Sequence, residues 1–290
     1  MMQNFILAPL RGVTIRCFRE TFARIISDAG FTEAVTPFIS AIHGVDPLND
    51  RELKGGVVSG IKVTAQFIGK DPVSLRNCLC RVKDAGFDTA DINCGCPFPM
   101  VRNKGRGSGL MQSPGVLEKM LKVGCEVMGP GKFSVKARLG VERTDELLSL
   151  MPVINRYPLR FLAVHGRVAK QMYAGKCDMK AVEAVCAASD VPIVLNGDLP
   201  FPLKEPVAMP NVCGYMVGRS FVRYLGLRDD AGELIKIYAQ ASLDELRSER
   251  AVLGRMKELV AYWCDMPKWR GKWSVMKLSR TLDEFISVAV

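Results

Sequence analysis

Short runs of apolar and β-branched residues recur along the chain, each followed by a stretch whose apolar residues return every three to four positions. The runs are FILAP from Phe5, EAVTPF from Glu33, KVTAQF from Lys62, DTADIN from Asp88, FSVKARL from Phe133, RFLAVHG from Arg160, VPIVLNG from Val191 and CGYMVG from Cys213. Most show no in–out alternation, which is the pattern of parallel strands covered on both faces. The stretches between them, such as SPGVLEKMLKVGCEVM from Ser113 and DMKAVEAVCAASD from Asp178, open on Ser or Asp and predict capped amphipathic helices. Eight such alternations over about 225 residues predict a (β/α)8 TIM barrel. A doubly wound parallel sheet is the alternative arrangement of the same elements. Beyond Leu225 the pattern turns purely helical through GELIKIYAQASLDELRSERAVLGRMKELVAYWC, predicting two or three helices. The expected division is an α/β barrel over 1–225 and a small C-terminal helical domain over 226–290.

Polar residues close the predicted strands. Gln66, Asn93, Lys136 with Arg138, His165, Asn196 and the Gly218–Arg219 pair each stand at or near a C-terminal strand end. Singly, any of them reads as a capping or surface residue. In a barrel, however, those ends converge on one mouth, where active sites are built. Six strands ending this way predict an enzyme.

Composition narrows the setting. The 290 residues are 48% hydrophobic, ample for a large core. The formal charge is +10, which favours a polyanionic partner. Residues 226–290 hold 11 basic and 10 acidic side chains, so the excess belongs mostly to the barrel. Within that tail, DMPKWRGKWSVMKLSR carries five cations to one anion and two of the three tryptophans. Ten scattered cysteines read as free thiols in a reducing compartment. The opening apolar run is short and broken by Pro9 and Arg11, and no stretch approaches the ~18 apolar residues of a membrane span. A soluble, cytoplasmic protein is expected.

The densest motif is DINCGCPFPMVRNKGRGSGLM, from Asp91 to Met111. Cys94 and Cys96 lack metal-ligand spacing, and the chain has only two histidines, so no metal is expected. Their spacing also departs from the usual Cys-x-x-Cys redox pair. Cys94 reads as an incidental buried residue, whereas Cys96 lies past a strand end beside a glycine-rich loop, where a thiol can face a substrate. Neither a Walker loop nor a Gly-x-Gly-x-x-Gly turn is present.

NCGCP followed by NKGRGSGLM resembles the signature of the tRNA-dihydrouridine synthases of bacterial type, flavoenzymes built on a (β/α)8 barrel. The likeness continues in order through APLRGVT from Ala8, AQFIG with Gln66, KARLG from Lys136, VHGRVAKQMY from Val164, LNGDL from Leu195 and VGRS from Val217. It covers nearly all of the barrel, while the helical tail matches only in kind. The resemblance implies FMN as cofactor, NADPH as electron donor and reduction of the carbon 5–carbon 6 double bond of a tRNA uridine. Cys96 matches the general acid, giving its proton to carbon 5 while reduced flavin delivers hydride to carbon 6. Lys136 matches the cation that stabilises the anionic reduced flavin. Gln66 and Asn93 match residues at the isoalloxazine or uracil edge, and Ala8, Pro9 and Leu10 match the loop packed on the ring. Asn196, Gly197, Asp198, Gly218 and Arg219 match the flavin-phosphate region. His165 and Arg167 match the phosphate or substrate side, with Arg138 beside the substrate.

RNA phosphates are expected to meet Arg102, Lys104 and Arg106 by the mouth. Lys268, Arg270 and Lys272 are expected to form a basic ridge on the tail, with Trp269 and Trp273 buried against the barrel. Two departures stand out: Phe98-Pro99 occupies positions where the family commonly has small or polar residues, and Leu10 replaces a frequent methionine. Rival readings are an FMN barrel acting on a free pyrimidine, uridine reduction in ribosomal RNA, and an RNA-binding protein on an inert barrel. A monomer needing no protein partner is expected, and flavin absorption of the purified protein would exclude the inert barrel.

Overall fold

The structure, a computed structural model, describes residues 4–54 and 61–290, so residues 1–3 of the opening run lie outside it. One parallel sheet contains β1 (Phe5–Leu7), β2 (Phe31–Val35), β3 (Ile39–Ser40), β4 (Lys62–Ile68), β5 (Ala90–Cys94), β6 (Phe133–Gly140), β7 (Leu162–Val168), β8 (Ile193–Asn196) and β9 (Val212–Val217). β1 pairs with both β2 and β9, and β2 pairs with β4, so the sheet closes. Closure identifies the barrel and excludes the doubly wound alternative.

All eight predicted runs form barrel strands, with one correction. The second breaks at residues 36–38, where Pro37 has no N–H to give the ladder. Its two pieces, β2 and β3, pair with Lys62–Thr64 and with Phe67–Ile68 of β4. At the gap, the Gln66 backbone N–H turns to the Thr36 hydroxyl at 3.0 Å. The break therefore leaves no orphaned donor at the level of the site.

The barrel helices are α1 (Arg16–Thr21), α2 (Ala23–Asp28), α3 (Pro72–Asp84), α4 (Pro99–Arg102), α5 (Pro114–Met128), α6 (Glu146–Ile154), α7 (Met179–Ala187) and α8 (Arg219–Leu227). Asp178 caps α7 as expected, accepting from Ala181 N at 3.0 Å. Ser113 does not cap α5 with its side chain, which starts instead on Pro114 at its first position. Among the described residues, no helix is long and apolar enough to cross a membrane.

Alternation inside the barrel splits its interior. Ile6, Val35, Phe161, Ala163, Val194 and Met216 form an apolar cluster on one side. On the other, Thr64, Gln66, Asp91 and Ser134 are fully buried polar residues of β4, β5 and β6. The floor is closed by Glu33, which accepts from Thr64 Oγ1 at 2.5 Å and pairs with Arg160.

Four helices follow: α9 (Ala231–Leu246), α10 (Glu249–Ala261), α11 (Pro267–Met276) and α12 (Leu282–Ala289), where two or three were expected. They share one hydrophobic core with the barrel helices. Trp263 and Trp269 pack at a tilt, 4.8 Å between ring centres, and donate their indole N–H groups to Val222 O and Gly226 O of α8, each at 2.7 Å. Gly226 is required there, because a Cβ would run into the Trp263 ring. Trp273 is half-buried against the same core, so burial of this tryptophan pair is what the fold uses.

Trp269→Ala should therefore cost ~3–5 kcal/mol, the range for deleting a buried aromatic ring, read as a lower urea midpoint. Trp269→Phe keeps most of the packing but removes the donor to Gly226, and should cost less. A loss below ~1 kcal/mol for the alanine variant, typical of uncritical sites, would contradict the anchoring role.

Candidate active site

A cavity of about 1310 Å³ opens at the C-terminal ends of the strands. Single small-ligand sites run roughly 300–1,000 Å³, so this one has room for a cofactor and a second group. Its walls are the β1 loop, the strand ends, α8, and the end of α10 with the loop after it.

Asp91 organises one wall from below. Buried out of water, its carboxylate accepts from Ser134 Oγ at 2.7 Å and from Gln66 Nε2 at 2.8 Å. Burial pushes its pKa up to about 6, while Ser134, Gln66 and Lys136 oppose that shift. Because the carboxylate accepts from Gln66 Nε2, Gln66 Oε1 is turned to accept from Asn93 Nδ2 at 2.8 Å. Asn93 Oδ1 then accepts from the backbone N–H groups of Gly95 at 3.1 Å and Cys96 at 2.8 Å. One buried carboxylate thus sets two amide orientations and the start of the cysteine turn. Each amide keeps its second N–H for a group in the cavity.

Cys96 faces that cavity. Its carbonyl accepts from Ser108 N at 3.1 Å and Ser108 Oγ at 2.9 Å. Gly107, at φ +58, lies so close that a Cβ would come 2.8 Å from that of Cys96. Burial raises the Cys96 pKa, against the pull of Phe98 N–H, Arg11 and Arg138. The thiol keeps its proton at neutral pH, the reverse of a nucleophilic or metal-binding cysteine. Cys94 instead belongs to the core between sheet and helices, where burial also raises its pKa. The two cysteines do different work.

Lys136 stands on β6 and donates to Asn196 Oδ1 at 2.8 Å, while Asn196 Nδ2 donates to Met216 O at 2.7 Å. Burial and the neighbouring Arg138 bring the ammonium down to about 8, with Asp91 opposing. Opposite, Asp198 is held by Arg167 at 3.0 and 2.5 Å and by Arg219 at 3.1 Å. Burial alone would raise the Asp198 pKa, but the hydrogen bonds and charge of these arginines bring it below the usual carboxylate range. Arg167 Nη1 lies 3.2 Å from His165 Nε2. Burial, then Lys136, Arg138, Arg167 and Arg219, drive the His165 pKa far down, so the imidazole is neutral, with Nε2 accepting and Nδ1 protonated.

These residues fit FMN. A planar ring would meet Ala8, Pro9 and Leu10 as an apolar face and the amides of Gln66 and Asn93 with Lys136 as a polar edge. For a phosphate there are Arg219 and the N-terminus of α8, whose first turn has no side-chain cap at Gly218. Gly197, at φ +104, has no room for a side chain, since a Cβ would lie 2.6 Å from Cys177 Sγ and from His165 Cδ2.

Every residue expected at the cofactor, and Cys96, lines the one cavity. Arg138 lines it too, but its guanidinium is committed inward to the carbonyls of Gly95, Val168 and Met172. Arg167 does not line it; beyond Asp198 it donates to the carbonyls of Ala174 and Gly175. Both brace the loops around them through these bonds. Arg102, Lys104 and Arg106 sit on the turn after Cys96, outside the cavity wall, and Arg106 Nε is buried without a partner among the described residues.

Lys268, Arg270 and Lys272 of the expected tail ridge do not line the cavity. Lys268 donates to Arg228 O at 2.6 Å, Lys272 to Ala289 O at 2.8 Å and Arg270 to Asp265 O at 3.2 Å. These cations satisfy carbonyls at helix ends and in connecting turns. Instead, Arg223, Glu258, Tyr262 and Asp265 from α8, α10 and the following loop reach the mouth, and sequence reasoning missed them. Their separation from the barrel motifs left no local signal. Arg11, within APLRGVT, and Tyr173, within VHGRVAKQMY, also line the cavity and were within reach of the motif reading.

A family model described as dihydrouridine synthase matches residues 6–243. The tRNA-dihydrouridine synthase B of Vibrio cholerae is 32% identical over 225 residues, covering 76% of this chain and 68% of that protein. A probable tRNA-dihydrouridine synthase of Helicobacter pylori J99 is 28% identical over 274 residues, covering 88% and 81%. Among solved structures, the old yellow enzyme homologue from Zymomonas mobilis aligns with a TM-score of 0.52 at 13% identity, over 76% of this chain and 85% of that one. Morphinone reductase aligns at 0.51 and 11%, over 76% and 83%. These two show the shared barrel fold.

The lowered Lys136 pKa has a signed consequence. Its folded value, about 8, lies below the ordinary 10.5, so folding is opposed by the charged ammonium below pH ~8 and relieved of that cost above pH ~10.5. Flavin-free Lys136→Met should therefore melt above the flavin-free parent protein at pH 7. The gap should close between those pH values. A lower melting temperature for the variant at pH 7 would mean that the Asn196 bond outweighs burial.

Proposed function

The chain belongs to the dihydrouridine synthase family, and from that premise we propose that it reduces a uridine of tRNA to 5,6-dihydrouridine, with FMN in the barrel mouth and NADPH as electron donor. The observation that carries this reading is the protonated Cys96 thiol facing a cavity edged by Gln66, Asn93 and Lys136. The relatives described above bear the names of tRNA-dihydrouridine synthases, which supports the substrate. A free pyrimidine would need neither the cavity's size nor the basic excess of the barrel.

When bound, FMN would supply the hydride chemistry, with NADPH as the source of the electrons and carbon 6 of uracil as their destination. The chain's own residues supply the rest. Cys96 Sγ holds the proton destined for carbon 5, and its raised pKa keeps that proton in place until a base arrives. Asn93, oriented through Gln66 and Asp91, fixes the turn on which the thiol stands. Lys136 presents a cation where negative charge collects on a reduced ring. Arg219 and the α8 N-terminus hold the phosphate, and Arg167 keeps Asp198 from repelling it. The target uridine must leave its stack to reach the thiol.

On this reading residues 1–225 form the FMN-binding barrel and 226–290 a helical RNA-binding domain. The helical segment sets Glu258 and Tyr262 on the cavity wall, so RNA gripped there lies beside the thiol. Ten free cysteines and a tRNA substrate favour the cytoplasm, and the protein is taken to act as a monomer.

Cys96→Ala should lower dihydrouridine formation in tRNA by about a hundredfold or more, the usual scale for a lost general acid, while the purified protein keeps flavin absorption. Cys94→Ala should stay close to the parent rate, because that thiol is buried away from the site. Mass spectrometry of digested tRNA gives the readout. Equal losses in the two variants would remove Cys96 from the acid role.

A further inference from the structure

The turn that carries Cys96 continues into Pro97-Phe98-Pro99-Met100, and there the surface is unusual. Phe98 is 43% exposed and Met100 is 75% exposed, and both border the cavity mouth. Large apolar side chains left bare at the rim of a cavity are costly and point to a contact surface.

The pair stands on fixed backbone. Two prolines restrict the turn, and the Phe98 carbonyl accepts from Val101 N and Arg102 N, each at 2.9 Å. Ser108 and Gly107 brace Cys96 from behind. Phe98 and Met100 are thus presented at a set place next to the thiol.

Cations follow them along the chain. Arg102 and Lys104 follow on the same turn, and the stem of Lys70 lies against Gly105. Among the described residues these three have no ion pair and no side-chain hydrogen bond, unlike Arg138, Arg167, Lys268 and Lys272. An apolar platform interleaved with unpaired cations matches a single strand of nucleic acid, whose bases stack while its phosphates pair. A uridine drawn into the cavity also leaves a neighbouring base with one face bare.

We propose that Phe98 and Met100 form a stacking platform for a nucleotide flanking the target uridine, with Lys70, Arg102 and Lys104 on its phosphates. This rests on the reading of RNA as substrate. The platform is a positioning device: it holds the strand so that the uridine, once out of its stack, stays out beside Cys96. Aromatic Phe98 provides the flat face, and unbranched Met100 adapts to different bases.

The test measures the Kd of a short single-stranded RNA containing the target uridine, and the KM and kcat for tRNA, in the full-length flavin-loaded protein. Phe98→Ala with Met100→Ala should raise Kd and KM on the order of tenfold, the scale of a lost base–aromatic stack. Phe98→Trp should restore most of it. RNA made abasic at the flanking positions should bind the parent protein as weakly as intact RNA binds the double variant. The double variant should lose no further affinity for that abasic RNA. Additive losses, or an unchanged Kd in the double variant, would overturn the platform. If the parent protein forms no dihydrouridine in tRNA, the underlying reading fails instead, and that outcome is separable because it needs no variant.

Discussion

A carboxylate sealed inside a protein must be answered by donors, and the catalytic wall of this barrel is built on that requirement. Asp91 sits beneath the mouth with no access to water, satisfied by Ser134 and Gln66. An ionised carboxylate only accepts, so Gln66 is forced to turn its oxygen toward Asn93, and Asn93 its oxygen toward the Cys96 turn. Replacing any member with an apolar residue would leave at least one buried donor or acceptor unpaired. The broken second strand belongs to the same arrangement, since at the break the Thr36 hydroxyl accepts the Gln66 backbone N–H. Polar residues thereby occupy half of a barrel interior that hydrophobic packing alone would fill.

The second constraint is charge. Lys136, Arg138, Arg167 and Arg219 crowd one end of the cavity, with Asp198 paired to two of them and Asp91 acting on Lys136 from below. His165, surrounded by these cations and buried, stays neutral. Burial, and then the neighbouring Arg138, lower the Lys136 pKa, so its charged ammonium opposes folding. An anionic ligand bound there would offset that cost. Arg138 and Arg167 further use their guanidinium groups to tie down carbonyls of the loops around them, so the charge is held in place by the backbone it organises.

The helical segment completes the mouth. Trp263 and Trp269 fasten it to α8 through paired packing and indole donors. That attachment fixes the end of α10 over the cavity, where Glu258 and Tyr262 face it. Lys268 and Lys272 of the same segment donate to carbonyls at helix ends. Arg102 and Lys104, on the turn that follows Phe98 and Met100, have no ion pair or side-chain hydrogen bond among the described residues.

Local pattern was enough for the strands, because each barrel strand is a short apolar run between amphipathic helices and needs no partner to be recognised. It was also enough for the residues at strand ends, since parallel closure carries all of them to one face. Gln66, Asn93, Cys96, Lys136, His165 and Asn196 therefore meet where their order along the chain implied. What pattern could not supply is which polar group answers which. Whether an arginine points to solvent or to a carbonyl depends on acceptors tens of residues away, as Arg138 with Val168 and Lys268 with Arg228 illustrate. The same holds for the interrupted second strand, for the missing side-chain cap at Ser113, and for Glu258 arriving at the mouth from a helix with no motif. Hydrophobic periodicity is written residue by residue, whereas the satisfaction of buried polar groups is settled only when distant segments meet.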